Sequence, residues 1–228
     1  MARKSHPPRH RASCGQGYRR FDQSVEIRRT SSNPLKWVKD PMTNPPDFRS
    51  LLSQGKHALS VGKVKEICEL IADNPRLATR LIEHIWDDDP GVAQRAADVL
   101  ERGSHKPSPT LARILADSKE ALLGLLPEAA LKKTRWNLAL TIGRLPLTIQ
   151  EARRAAGVLE SWLQDESSIM KTAALHGLAD LTRWDSSLRP EVIDLLQIHE
   201  RSGTPAMRAR SRLLLAQFEK ADKMAKTR

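Results

Sequence analysis

At 228 residues the chain can hold one domain, or two small ones, around a sizeable core. Aromatics make up only 4% of it and the Val/Ile/Tyr/Thr runs of a sheet protein are absent, so an all-helical fold is expected; no apolar run reaches the ~18–20 residues of a membrane helix, which argues against a membrane partner. The net charge of +11 sits at the ends: residues 1–60 carry 12 Lys and Arg against 4 Asp and Glu, residues 61–200 carry 18 against 21, and residues 201–228 carry 8 against 2.

Residues 1–46 read as a basic, poorly ordered N-terminal tail. Met1–Phe21 holds six Lys and Arg and no acid, and the prolines at 41, 45 and 46 break any helix there. A transit peptide is also Arg-rich and acid-free, but this stretch lacks the apolar stripe of its amphipathic helix, and Met42 offers an alternative start. Such a tail attracts nucleic acid or another polyanion, or simply remains a solvated segment.

From Asp47 the pattern becomes helical. Phe48, Leu51 and Leu52 predict a short helix ending near Gly55, and Val64, Ile67, Cys68 and Ile71 recur at helical spacing. Asn74-Pro75, Asp89-Pro90, Ser108-Pro109 and Thr204-Pro205 each place a capping side chain before a proline, the signature of a helix start. Gly103–Pro107 reads as a loop. Glu120–Leu126 and a long Glu128–Arg144 read as further helices. Thr148 with Glu151 forms a capping box, and Ser167–Leu181 and a helix from Pro190 follow. The helical body is expected over residues 47–220, with 221–228 as a basic C-terminal end.

Ser167–Leu181, written SSIMKTAALHGLADL, has relatives within the chain. Aligning Gly177 on Gly143 gives an offset of 34 residues, Met207 on Ile169 gives 38, and Arg135 on Val92 gives 43. Spacings in the mid-thirties to mid-forties suit stacked helical hairpins, in which small residues such as Ala173, Ala174 and Gly177 admit a close neighbour. Asp89-Pro90-Gly91-Val92 with Ala96-Ala97, and Ala173-Ala174-Leu175 with Gly177-Leu178, resemble the inner helix of HEAT repeats over about residues 75–220. The resemblance implies a right-handed α-α superhelix of about four to five hairpins, an armadillo-type α-solenoid.

On a helical wheel, Met170, Ala173, Ala174, Gly177, Leu178 and Leu181 form a broad apolar arc, opposite Lys171, Thr172, His176, Asp180 and Arg183. The same construction frees Lys133, Asn137, Thr141 and Arg144 on the preceding helix and Arg208 and Arg212 on the last. Lys133, Asn137, Arg144, Lys171, His176, Arg183, Arg208 and Arg212 therefore form the candidate face for a partner or polyanion. Six of these are cations that would hold phosphates with a steep salt dependence if they shared one groove. Lys and Arg on the solvent faces of repeat helices, or an Asp–Arg ladder involving Asp89 or Asp165, would account for them equally.

No catalytic constellation is present. The seven histidines lack metal-ligand spacing, the two cysteines Cys14 and Cys68 cannot build a cage, and no glycine-rich phosphate loop occurs. Trp184-Asp185-Ser186-Ser187-Leu188 begins like the active-site segment of the HEAT-like alkylpurine DNA glycosylases, but Leu188 stands where that family carries its essential carboxylate. The expected function is a non-catalytic, cytoplasmic scaffold that binds a protein or other macromolecule on its concave face and needs no cofactor. A nucleic-acid-binding protein with a basic groove is the first alternative. An accessory or chaperone-type subunit, like the short HEAT-like proteins that handle phycobilin pigments, is the second.

Overall fold

The structure, a computed structural model, describes residues 47–57, 59–72 and 74–227. The expected tail over residues 1–46, with Cys14 and Trp37, lies outside them. Among the described residues there are eleven α-helices and no strand. They are α1 (Phe48–Ser53), α2 (Val64–Ile71), α3 (Pro75–Glu83), α4 (Pro90–Ser104), α5 (Pro109–Asp117) and α6 (Lys119–Glu128). Then come α7 (Lys132–Ile142), α8 (Ile149–Ser161), α9 (Ser168–Leu181), α10 (Arg189–Ser202) and α11 (Pro205–Lys226). The fold is all-α.

The helix starts follow local chemistry. Asn74, Asp89, Ser108 and Thr204 each accept from a first-turn amide and are each followed by a proline, whose missing N–H costs nothing at that position. Thr148 and Glu151 form the expected reciprocal box. Each such cap stabilises its helix by about 1 kcal/mol.

Three boundaries differ from expectation. The helix expected over Glu128–Arg144 is shorter, Lys132–Ile142: α6 continues past Pro127, which supplies no amide to its last turn, to Glu128, and Ala129 and Leu131 are extended. In contrast, α4 continues through Gly103 to Ser104, and Gly103 packs so closely on Leu111 of α5 that an added Cβ would come within 2.9 Å of a leucine methyl. The basic end expected over residues 221–228 is helical as far as Lys226, where α11 ends.

Packing runs in chain order. α4 packs on α7, α7 on α9 and α9 on α11, and each is backed by the helix before it: α3 on α4, α6 on α7, α8 on α9, α10 on α11. One hydrophobic core runs from Phe48 to Leu214. The six residues of the α9 arc are all buried, and so are Leu175 and Ala179, since α9 touches α7, α8, α10 and α11. Close approach explains Gly177: a Cβ there would lie 2.4 Å from the Ala139 carbonyl oxygen of α7. No described helix is long and apolar enough to cross a membrane.

Candidate functional site

The α4–α7–α9–α11 layer collects most of the polar side chains singled out in the sequence, and it neutralises several of them. Lys133 is buried, with its Nζ 2.8 Å from Asp98 Oδ2 of α4 and 3.5 Å from the Leu59 carbonyl. Asp98 also accepts from Arg102 Nε at 2.9 Å. Arg144 donates to Glu101 Oε1 at 3.1 Å, to the Glu101 carbonyl at 3.0 Å and to Ser104 Oγ at 2.9 Å, with Asp180 Oδ2 at 4.0 Å on its other side. Asn137 lies between these pairs along α7 and is only 4% exposed. The expectation of a free face on α7 is therefore corrected for Lys133 and Asn137. A wheel drawn for α7 alone omits α4, which covers that side.

The remaining candidates diverge. Lys171 is half-buried near α10, where its charge adds to burial in lowering the pKa of His199. Arg183 is exposed just beyond the end of α9. Arg208 donates to the Gly203 carbonyl at 3.1 Å, and Arg212 is exposed. The structure brings Lys133, Asn137 and Arg144 together in a seam and does not join the six cations into one open strip.

His176 links α9 to α11. Its Nδ1 lies 3.4 Å from Arg210, and its Nε2 lies 3.7 Å from Asp180 Oδ2. Arg210 can only donate, so Nδ1 accepts and the ring proton sits on Nε2, facing Asp180. That arrangement needs a neutral imidazole. Burial lowers the His176 pKa below its ordinary 6.5.

Three turns repeat one device that the sequence reading only half anticipated. Asp87, Asp165 and Asp185 each accept the backbone N–H two residues on, at 2.8 to 2.9 Å. Each also meets an arginine from an earlier helix: Arg49 at 2.8 Å, Arg135 at 2.9 Å and Arg153 at 2.6 Å. Asp165 was one of the two aspartates expected in such a ladder; the other, Asp89, instead caps α4. The Arg49 fork holds the Asp87 carboxyl down to about 2. At the segment resembling a glycosylase site, Asp185 is occupied by Ser187 and Arg153, while Trp184 donates its indole N–H to the Gly143 carbonyl at 2.7 Å. Both side chains are committed to packing.

Several concavities open along the layer, and one of them is lined mainly by apolar side chains. Trp136 and Leu140 of α7, Ile169 and Ala173 of α9, and Ala206 and Arg210 of α11 line a groove of about 220 Å³. Ile169 is 53% exposed at its edge. None of the eight candidate residues named from the sequence lines this groove. A signal existed in Trp136 and Leu140, two apolar residues four apart and off the stripe that Leu138 and Ile142 form on α7.

Among the described residues no group of three His, Cys, Asp or Glu could hold a metal. Burial pushes the Cys68 thiol up to about 11, which keeps it protonated and unreactive at neutral pH.

No family model and no curated protein matches the chain. Among solved structures, an engineered protein from the Northeast Structural Genomics Consortium is similar over 76% of this chain and 88% of its own, at 14% identity and a TM-score of 0.47.

Proposed function

We propose that the chain is a HEAT-like α-solenoid acting as a non-catalytic scaffold, which binds a protein partner through the groove on the α7–α9–α11 face. Four successive helix pairs and the threefold recurrence of the Arg–Asp turn support the repeat reading. The observation that carries the binding reading is a contrast on one layer: Lys133 and Arg144 are spent on Asp98 and Glu101, whereas the apolar wall of Trp136, Leu140 and Ile169 is open. A phosphate backbone is held by several free cations. An apolar groove suits a protein side chain. A protonated, half-buried Cys68 fits a reducing cytoplasm, and the reading requires no cofactor.

A photoreactive benzoylphenylalanine at Ile169, with one at the equally exposed Ile149 of α8 as control, tests this in living cells. A protein adduct specific to position 169 and lost on Leu140→Glu is expected, and the captured protein, once purified, should bind the unmodified chain stoichiometrically. Equal adducts from both positions would sink the reading, as would salt-sensitive capture of nucleic acid at position 169.

A further inference from the structure

We infer that the α7–α9–α11 groove takes an apolar side chain bearing or adjoining a carboxylate, with Arg210 as the anion's partner; this rests on the protein-binding reading above and specifies its chemistry. The size is informative first. A groove of about 220 Å³ falls below the ~300–1,000 Å³ of small-molecule sites, while ~150 Å³ suffices for a benzene ring. The space therefore suits one aromatic or leucine-sized anchor.

The charge is informative second. Arg210 is the one charged residue in the lining. Elsewhere on the layer Lys133 meets Asp98, Arg135 meets Asp165 and Arg144 meets Glu101, while the half-buried Lys171 and Arg208, which form no ion pair among the described residues, lie outside the lining. Among the described residues Arg210 forms no ion pair, and its polar contact is the neutral His176 Nδ1 at 3.4 Å. A guanidinium presents five N–H donors in a planar fork, so one weak bond to imidazole leaves room for a bidentate carboxylate. The apolar walls strengthen that attraction, because water screens it less there. A cationic ligand is excluded by the same charge. Nucleic acid would stack a base on Trp136, but a single arginine offers little grip on successive phosphates.

The test uses the full 15N-labelled chain and follows the Trp136 indole N–H signal, assigned by its loss in Trp136→Phe. N-acetylphenylalanine and its uncharged carboxamide are the two probes. Both are expected to shift the Trp136 signal, with the acid binding roughly tenfold tighter, as one charge-assisted pair implies. Arg210→Gln should bring the acid to the level of the amide, and Arg210→Lys, which keeps the charge without the fork, should fall between. Equal affinities for acid and amide would overturn the inference. So would an acid preference that survives Arg210→Gln, or a thymidine oligonucleotide that shifts Trp136 at lower concentration than either probe. If the probes show no preference while the Ile169 cross-link persists, the chemistry is wrong and the scaffold stands. If the probes behave as expected and no protein is captured, the scaffold reading alone falls.

Discussion

The seam between α4 and α7 and the seam between α9 and α11 belong to one layer but solve the burial of charge differently. At the first, cation meets carboxylate: Asp98 with Lys133, both side chains under one-tenth exposed, and Glu101 with Arg144. At the second, the cation Arg210 meets a neutral imidazole and borders an open apolar groove. A charge whose partner lies within the fold is committed to structure. A charge left against apolar surface remains available to something outside it. On this layer, then, counting cations says little about function, and tracing their partners says much.

The comparison breaks most visibly at Asp98. Asp98→Ala leaves the Lys133 ammonium buried without its carboxylate and is expected to cost about 3–5 kcal/mol, read from urea unfolding. The double variant Asp98→Leu with Lys133→Met should recover most of that loss, because the desolvation of both charges disappears with the pair. A single variant within about 1 kcal/mol of the native chain would show that water reaches Lys133, and the seam would then not be a sealed one.

Most of the all-α architecture was legible because helix caps are local. Asn74, Asp89, Ser108, Thr148 and Thr204 act on amides two or three residues away, so five helix starts follow from short stretches of sequence. The α6–α7 break was legible at Pro127 but not its position, since α6 continues past Pro127 to Glu128 and the chain is extended at Ala129 and Leu131. Partner choice was the least legible. Lys133 and Arg208 look alike on a wheel, yet one reaches across to α4 and the other bends back to Gly203. The groove escaped notice because its lining comes from three helices more than 60 residues apart at their extremes, Trp136 to Arg210. No single window contains it.

Between those two seams lies a third, α7 against α9, which is closed by small residues. Gly177→Ala would place a methyl 2.4 Å from the Ala139 carbonyl oxygen and 2.7 Å from Leu159 Cδ1, forcing the helices apart. A loss of about 1–3 kcal/mol is expected. Gly157, at an exposed position inside α8 with no neighbour within 4 Å of an added Cβ, is the control. There alanine should stabilise by roughly 0.5–1 kcal/mol through helix propensity and a less disordered unfolded chain. Equal effects at the two glycines would mean that α7 and α9 are not in close contact. A large loss at Gly177 would also move the Trp136 signal, since α7 and α9 form two of the three groove walls.

The smallest expected effect lies at His176, and its sign follows from its surroundings. Burial lowers its pKa first; Asp180 and Glu101 oppose that, while Arg210 and Arg144 add to it. The folded chain thus releases a proton that the unfolded chain still holds just below pH 6.5. The stability associated with the neutral ring is present above that pH and is lost progressively as pH falls towards the folded-state pKa, below which the loss is complete. Protonation also turns Nδ1 from an acceptor into a donor facing Arg210, so the α9–α11 contact becomes a repulsion between cations. His176→Gln keeps a polar side chain that cannot titrate. Urea midpoints measured from pH 8 down to pH 5 should fall more for the native chain than for the variant. Parallel curves would show that His176 stays neutral throughout or is solvated in both states, and the α9–α11 seam would then owe nothing to the imidazole.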